Sequence, residues 1–339
     1  DVVTLKGENR TLAKHGLSRL NKSPSMGLKA LCEAAGLKGG GVSSHDVGFV
    51  IGPRLNAGGR LDSAEAAMKL LLTDDEKNAA EIAEELDLLN RERKETGDAI
   101  FKEASGLIDS YFDGKKHFGL VVGKIGWHPG VAGIVASRLC SRYNRPAVVI
   151  GFDESGHGKG SCRSIEYVDM VAALQECAGY LEGFGGHKMA AGLQISLGKL
   201  DGFSAAFNKA CGEIIGGRDI TPVRHVDAWL RGLGDIDRDL YGVLERFEPC
   251  GEGNRRPVLG LRNARIVGKP GRVGRDKSHL KMLIVEGNRQ IEAIGFGMGG
   301  IDDPAGAVDI IFQLGMNSYS GYESLQMNVL DIEDSVEKG

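Results

Sequence analysis

The chain has 339 residues, of which 42% are hydrophobic and 26% are charged, proportions typical of a soluble globular protein. This length exceeds what one hydrophobic core supports, so we expect two or three domains. No apolar run reaches the roughly 18 residues of a membrane-spanning helix, so no membrane association is expected. The formal net charge of −4 does not by itself indicate a protein that binds nucleic acid.

The N-terminus begins Asp1-Val2-Val3, with neither Met nor a basic segment followed by an apolar one. We therefore expect a chain cut from a longer protein, without a secretion signal. The six cysteines form no C-x-x-C pair, and no histidine lies at zinc-finger spacing from them. This pattern predicts free, mostly buried thiols in a reducing cytoplasm.

The first third of the chain is predicted to be largely helical. Helical spacing of apolar residues occurs within 1–36, and a turn-rich loop, I-G-P-R-L-N-A-G-G-R-L, follows at 51–61. From Asp74 to Ile108 the pattern predicts one long amphipathic helix with Thr73 as its N-cap. Because much of this helix is polar, we expect it to be a strut between two domains. The predicted segments are 1–72 and the connecting helix 73–113.

Residues 114–217 have the pattern of an α/β domain. A strand at 118–123, a helix at 131–142 and a strand at 146–150 follow one another through short loops. Such a strand–helix–strand unit is parallel and right-handed. Further amphipathic helices are predicted at 168–181 and 200–214.

From residue 218 to 339 the pattern changes to short strands separated by glycine turns. They are predicted at 260–267, 280–285, 290–296, 308–313 and 325–332. Five short strands with a basic stretch are typical of a small β-barrel such as an OB-fold. The expected fold class is therefore α/β with a C-terminal, OB-fold-like β-barrel.

Charge is unevenly distributed over this last segment. From Arg255 to Lys281 there are nine Lys and Arg against one acid, whereas from Met282 onward ten acids occur with two bases. A solvated face is one explanation, but the imbalance favours a surface that follows a DNA backbone. The candidate contacts are Arg255, Arg262, Arg265, Arg272, Arg275 and Lys277.

The segment G-K-G-S-C-R-S (158–164) could hold an anion. Its small residues let backbone N–H groups approach a ligand, two serines add hydroxyls, and an arginine adds a planar, doubly donating fork. An ordinary hairpin turn is the alternative explanation. The candidate ligand-binding residues are Ser161, Arg163 and Ser164.

Two other segments have a similar chemistry. In F-G-G-H-K-M-A-A-G (184–192), Gly185, Gly186 and His187 are predicted to place backbone donors and an imidazole at a helix start, although a tight turn with a capping histidine fits equally well. In P-R-L-N-A-G-G-R, Arg54 and Arg60 flank an Asn and two glycines, and a solvated loop is the alternative. The three segments resemble a phosphate-holding set, because a two-metal site would need several converging Asp or His side chains.

The order and spacing of these segments resemble the DHHA1 domain of RecJ-type exonucleases. G-W-H-P-G-V-A-G-I-V-A-S-R-L (126–139) comes before G-K-G-S-C-R-S and F-G-G-H-K-M-A-A-G, as in that family. Upstream, D-V-V-T-L-K-G-E-N-R (1–10) resembles the end of the family's DHH catalytic domain, and the loop at 51–61 resembles that domain's last loop. Downstream, F-E-P-C-G-E-G-N-R-R-P-V (247–258) resembles the start of the family's OB-fold.

The resemblance implies an enzyme that degrades single-stranded DNA from its 5′ end in DNA repair or recombination. Two divalent ions, Mn²⁺ or Mg²⁺, would activate the attacking water. It also implies a cytoplasmic location, and a single-stranded-DNA-binding protein and a helicase as partners. Asp1 matches a metal ligand of the family. The residues that match its phosphate and DNA contacts are Arg54, Arg60, Ser161, Arg163, Ser164, Gly185, Gly186 and His187.

One departure from the family is large, because the D-H-H triplet and the earlier Asp-rich motifs are absent. We therefore expect the chain as given to bind single-stranded DNA without cutting it and without binding metal stably. Two alternatives stay open. One is a phosphodiesterase of the same superfamily that acts on small oligonucleotides or cyclic dinucleotides, and the other is a non-catalytic nucleic-acid-binding module.

Overall fold

The computed structural model describes residues 3–37, 41–61, 63–274, 276–304, 306–319 and 322–335. Close contacts group the chain into two compact units. The central unit comprises Ser23–Gly41 and Val47–Pro222, and the barrel unit comprises Asp1–Lys22, Val42–Asp46 and Val223–Gly339. The four segment boundaries expected from the sequence stay a prediction.

The elements have the following bounds. The helices are α1 (Gly7–Lys22), α2 (Met26–Ala34), α3 (Ser44–Asp46), α4 (Gly52–Leu55), α5 (Gly58–Leu61), α6 (Glu65–Leu72), α7 (Glu76–Asp109), α8 (Pro129–Tyr143), α9 (Met170–Glu176), α10 (Leu200–Ile215) and α11 (Arg238–Glu245). The strands are β1 (Leu120–Ile125), β2 (Ala147–Phe152), β3 (His157–Arg163), β4 (Gly183–His187), β5 (Ala190–Ser196), β6 (Ala228–Leu230), β7 (Leu259–Ile266), β8 (Gly271–Val273), β9 (His279–Glu286), β10 (Arg289–Gly295), β11 (Ala307–Tyr319) and β12 (Tyr322–Asp334). One π-helical turn, Val47–Ile51, precedes α4, and short 3-10 turns lie at Ala178–Tyr180, Leu197–Lys199 and Leu233–Asp235.

The long helix predicted at 74–108 is present as α7. Its N-cap is Asp75 rather than Thr73, since the Asp75 carboxylate accepts hydrogen bonds from the backbone N–H groups of Lys77 and Asn78, at 2.8 and 3.3 Å. Thr73 instead ends α6, in extended conformation. The apolar stripe of α7 is buried from Ala79 to Ile108, against α2 and α6 at one end and α8 at the other. The helix is therefore packed along its length and does not cross solvent.

The sheet of the central unit has the strand order β1-β2-β3-β5-β4. β1 and β2 are parallel and are connected through α8, which confirms the predicted strand–helix–strand unit. The other three strands are antiparallel. The core of this unit includes Val148, Ile150, Cys162, Phe203 and Phe207.

G-K-G-S-C-R-S does not form the hairpin turn that was its alternative explanation, because Gly158 to Arg163 lie in the middle strand, β3, and Ser164 directly follows it. Gly158, Gly160 and Cys162 are buried alternately along it. A Cβ at Gly158 would lie 2.5 Å from the Phe152 ring, and one at Gly160 would lie 2.8 Å from the Leu193 side chain. These glycines make room for core side chains rather than for an anion.

F-G-G-H-K-M-A-A-G is not a helix start either, because it forms the β4–β5 hairpin. Gly186 is required for close packing there, since a Cβ at this position would lie 2.5 Å from the Ala190 carbonyl oxygen. The small side chains that suggested a helix at A-A-G instead allow β4 and β5 to approach each other closely.

The barrel unit contains the five predicted strands of the C-terminal segment together with the short strands β6 and β8. The ring β7-β11-β12-β10-β9 returns to β7 through only two residue pairs, Arg265 with Val285 and Ile266 with Ile284. The barrel is therefore present but not strictly closed. Its core includes Leu261, Ile284, Ile310, Phe312 and Met327.

The first helix belongs to the barrel unit through a small set of polar contacts. The Arg10 guanidinium donates to the carbonyl oxygens of Arg246 and Phe247, at 3.1 and 3.0 Å, and the Leu5 N–H donates to the Glu252 backbone carbonyl oxygen at 2.7 Å. α1 itself buries no residue, and Leu12 is 70% exposed. The loop F-E-P-C-G-E-G-N therefore anchors the start of the chain to the barrel.

Candidate nucleic-acid interface

Two of the predicted residues, Ser161 and Arg163, lie on the face of β3 that is covered by α8. A Cβ at Gly133, in the first turns of α8, would lie 2.9 Å from Arg163 Nη2 and 3.5 Å from Ser161 Oγ. Only a glycine at this position leaves the guanidinium undisturbed. Arg163 Nη1 donates to its neighbouring Cys162 carbonyl oxygen at 2.8 Å, which fixes the direction of the side chain.

Arg60 approaches the same end of α8 from α5. Its Nη1 donates to the Gly130 carbonyl oxygen at 3.5 Å, and its own carbonyl oxygen would lie 1.9 Å from a Cβ at Gly130. Burial lowers the pKa of the Arg163 guanidinium, and the positive charge of Arg60 also lowers it. Among the described residues, neither arginine has an ion-pair partner. Ser161, Arg163 and Arg60 thus form a cationic, hydroxyl-bearing cluster, here called the arginine site.

The G-G-H residues lie on the same face of the sheet, two strands away. His187 pairs with Ala190, which pairs with Arg163, and directly paired residues share a face. Strand spacing then puts the Cα atoms of His187 and Arg163 about 9–10 Å apart. In the same way, Gly185 pairs with Gly192, which pairs with Ser161, and these three residues form a second row beside the first.

Small residues make the floor between these two rows open. Gly185 and Gly192 are exposed, and a Cβ at Gly185 would meet nothing within 4 Å. His187 on β4 and Arg163 on β3 lie at opposite ends of one row across this floor, so an anion above it would have donors on both sides. Backbone N–H groups next to glycines are accessible to such an anion.

Two predicted residues have other contacts. The Arg54 guanidinium is bound to the Asp87 carboxylate, at 2.8 Å from Nη2, and to the Val50 carbonyl oxygen, so it links α4 to α7. Ser164 is buried, and its Oγ donates to the Val168 carbonyl oxygen at 2.7 Å. The Arg54 charge is thus neutralised by Asp87, and the Ser164 hydroxyl already donates to a backbone carbonyl, so both residues have structural contacts.

On the barrel, the basic stretch separates into paired and unpaired side chains. Four of its residues contact acids: Arg255 with Asp227, Arg256 with Glu245, Arg272 with Asp303 and Lys281 with Glu292. Arg272 also donates to the carbonyl oxygens of Gly299 and Ile301, both at 2.7 Å, so it is a structural clamp. Within the described part of the stretch, no ion-pair partner contacts Arg262, Arg265, Lys269 or Lys277.

A bulge in β7 brings Arg262 and Arg265 to the surface together. The register between β7 and β11 shifts after Val308, and Asn263 has a left-handed φ of 52°. Without the bulge, residues three apart would lie on opposite faces of the strand. Both arginines line a groove of about 420 Å³ beside the β7–β9 seam.

Next to this groove lies an aromatic residue that the sequence analysis missed, Trp229 on β6. Its indole lies over Gly260, and the Arg262 guanidinium carbon is 4.6 Å from its ring centroid. Trp229 remains 46% exposed. It precedes the basic stretch by 26 residues in sequence, and only the parallel pairing of β6 with β7 brings it there.

Two family models match the chain over the same two regions. Residues 116–213 match the DHHA1 domain, and residues 226–331 match the RecJ OB domain. The single-stranded-DNA-specific exonuclease RecJ of Bacillus subtilis is 34% identical over 335 residues, which cover 98% of this chain and 42% of that protein. The chain belongs to the RecJ family. The RecJ protein of Thermus thermophilus is 33% identical over 334 residues, or 98% of this chain and 46% of that protein.

Solved RecJ structures agree with this membership. The crystal structure of RecJ from Thermus thermophilus in complex with Mn²⁺ matches with a TM-score of 0.82 and 30% identity, over 99% of this chain and 48% of that one. The complex of the same protein with Mg²⁺ matches with a TM-score of 0.81. The divalent metal expected for the complete enzyme is thus confirmed in RecJ relatives. This chain spans between 42% and 60% of the length of the curated RecJ proteins it matches.

The RecJ-family chain contains no group of three or more His, Cys, Asp or Glu that could hold a metal ion among its described residues. Asp1, the predicted metal ligand, and Arg275, a predicted barrel contact, lie outside the described residues. No described helix is long and apolar enough to cross a membrane.

Proposed function

We propose that this chain provides the 5′-phosphate-binding and strand-binding portion of a RecJ-type 5′→3′ exonuclease acting on single-stranded DNA. The observation that carries the proposal is the arginine site, where Ser161, Arg163 and Arg60 converge over the first turns of α8 beside the open floor. Charge-assisted bonds from a planar guanidinium and a hydroxyl suit a terminal phosphate. In the complete enzyme, divalent Mn²⁺ or Mg²⁺ would supply the activated water.

The barrel groove would bind the rest of the strand. Arg262 and Arg265 in the groove, and Lys277 between β8 and β9, supply charges without described acidic partners for the phosphates, and Trp229 supplies an exposed ring for a base. Aromatic stacking and cationic grooves are the usual means of binding single strands without sequence preference. The match to the RecJ OB domain favours this function over a phosphodiesterase for dinucleotides, which needs no second binding surface. A role in DNA repair or recombination in the cytoplasm, with a single-stranded-DNA-binding protein and a helicase as partners, is part of the same proposal.

The test is the substitution Arg163→Ala in the 339-residue chain. Losing a charge-assisted hydrogen bond should cost about 1.5–3 kcal/mol of binding free energy for a 5′-phosphorylated strand. The affinity for the same strand with a 5′ hydroxyl should change little. Fluorescence anisotropy with labelled oligothymidylate, in chelator to prevent any cleavage, measures both affinities.

The matched control is Arg218→Ala, which removes an exposed arginine of the same unit outside the arginine site. It should leave the ratio of the two affinities unchanged. Equal losses for the phosphorylated and hydroxyl strands in Arg163→Ala would contradict the proposed reading of the terminal phosphate.

A further inference from the structure

A third arginine lies near the arginine site, on the long helix α7. Both Nε and Nη2 of Arg93 donate to Asn90 Oδ1, at 3.3 and 2.9 Å. Asn90 is only 1% exposed, and it is one of three buried polar or charged residues among those described. Since the two residues are one helical turn apart, the carboxamide fixes one edge of the guanidinium. The remaining nitrogen, Nη1, has no hydrogen-bond partner in the described part of the chain.

The packing of α7 against α8 places Arg93 near the arginine site. Arg138 contacts Asp98 at 2.5 Å, and further along both helices Tyr143 Oη donates to Asp109 Oδ1 at 2.6 Å, so the two helices run in the same direction and Arg93 lies level with the first turns of α8. Burial lowers the pKa of Arg93, and the positive charge of Arg60 lowers it further, while Asp98 acts in the opposite direction. Arg60 has the same effect on Arg163, so it lies within electrostatic reach of both guanidiniums. Asp98 is itself bound to Arg138, at 2.5 Å. Three guanidiniums thus lie near one another without a carboxylate of their own.

Such an arrangement is unfavourable unless an anion compensates it. Like charges held close together and partly buried destabilise the folded state. Buried amides also cost free energy unless they are hydrogen-bonded, and Asn90 uses its oxygen to hold Arg93 in place. The buried Asn90 carboxamide therefore orients the Arg93 guanidinium near those of Arg60 and Arg163.

We propose that Arg93, positioned by Asn90, is the third guanidinium that binds phosphate at the arginine site and gives the site a preference for a doubly charged terminal phosphate. This inference rests on the proposed function. A phosphodiester within a strand carries one negative charge, whereas a terminal phosphate carries two above its second pKa of about 6. Three guanidiniums match the dianion better than the monoanion.

The preference predicts a dependence on pH. The ratio of affinities for 5′-phosphorylated and 5′-hydroxyl strands should rise between about pH 5 and pH 7.5, as the terminal phosphate loses its second proton. The charged or titratable groups around the site are Arg60 on α5, Asp98 on α7, Arg138 on α8, the α8 N-cap His128, Lys159 and Arg163 on β3, and His187 on β4.

The experiment compares Arg93→Gln, Arg93→Lys and Asn90→Ala with the unchanged chain, by anisotropy at both pH values in chelator. Arg93→Gln should lower the affinity ratio at pH 7.5 about tenfold and flatten its rise with pH. Arg93→Lys keeps the charge but loses the fork, so its ratio should lie between those of Arg93→Gln and the unchanged chain. Asn90→Ala should also flatten the rise, a change that a purely structural role would not produce.

Lys94→Gln is the matched control, because it removes an exposed charge from the next position of the same helix. This inference alone would be overturned if both Arg93 variants kept the affinity ratio and pH dependence of the unchanged chain while Arg163→Ala lost the preference for the 5′-phosphorylated strand. An unchanged chain that does not distinguish the two strands at either pH would overturn the proposed function itself. If Arg93→Gln lowers the melting temperature, the Arg93→Lys variant decides the question.

Discussion

At the scale of single residues, two helical glycines determine where the arginines of the site can lie. Gly133 and Gly130 lie one turn apart on α8, and each makes room for an arginine that arrives from another element. A glycine inside a helix is unfavourable by about 0.8–1 kcal/mol relative to alanine. Its presence at Gly133 therefore indicates that the Arg163 guanidinium needs the space.

The substitution Gly133→Ala tests this relation. The added methyl would lie 2.9 Å from Arg163 Nη2, so the flexible end of that side chain must move. We expect the preference for a 5′-phosphorylated strand to fall severalfold while the free energy of unfolding stays constant or rises slightly, because alanine favours the helix. Anisotropy and thermal melting measure the two effects. Gly106→Ala, at an open position on α7, is the control and should leave the preference unchanged.

Residue types alone could not separate the arginines of this chain. Arg54 and Arg60 occur in the same loop motif, yet one is bound to Asp87 and the other lacks a described ion-pair partner. Arg93 occurs in the polar run R-E-R-K and resembles any solvated helix residue. Its position becomes informative only when the fold brings α5, α7 and β3 together.

At the scale of elements, periodicity predicted most helices and strands, and glycine obscured two of them. The apolar stripe of α7 and the strands of the barrel follow directly from spacing. β3 also alternates buried and exposed positions, but two of its three buried positions are glycines, which are typical of turns. The hairpin β4–β5 was missed for the same reason, since its small residues fit both a helix start and a strand pair.

The pairing of β6 with β7 creates the aromatic surface of the barrel. We expect Trp229→Ala to weaken binding of a long single strand by about 1–3 kcal/mol, the usual loss for one stacked base. Trp229→Phe should retain part of the affinity, since a smaller ring still stacks. Binding titrations with a 20-nucleotide strand measure this, and an affinity equal to that of the unchanged chain in Trp229→Ala would exclude stacking at this position.

At the scale of the whole molecule, charge is arranged locally rather than in bulk. The formal net charge is −4, yet cations without a described acidic partner occur both on the barrel, at Arg262, Arg265 and Lys277, and at the arginine site. The sequence alone located the basic stretch, but it did not show which of its bases lack an acidic partner. Arg255 and Arg272 are bound to acids, whereas Arg262, Arg265 and Lys277 have no such described partner.

The combined substitution of Arg262, Arg265 and Lys277 by alanine should therefore reduce the salt dependence of strand binding. Each lost phosphate contact lowers the log–log slope by roughly 0.7, so three contacts give a decrease of about 2. The slope is measured between 50 and 300 mM salt (roughly the range over which counterion release dominates). Lys115, Lys209 and Arg218 are exposed bases of the central unit, and replacing these three should leave the slope unchanged.

The most direct measurement of the central claim is a crystal structure of the chain with a 5′-phosphorylated oligothymidylate. We predict the terminal phosphate over the first turns of α8, with its oxygens about 2.7–3.2 Å from Ser161 Oγ and from the Arg163 guanidinium. The strand should leave across the open floor beside His187. A terminal phosphate bound elsewhere, with the arginine site filled only by solvent, would contradict the account.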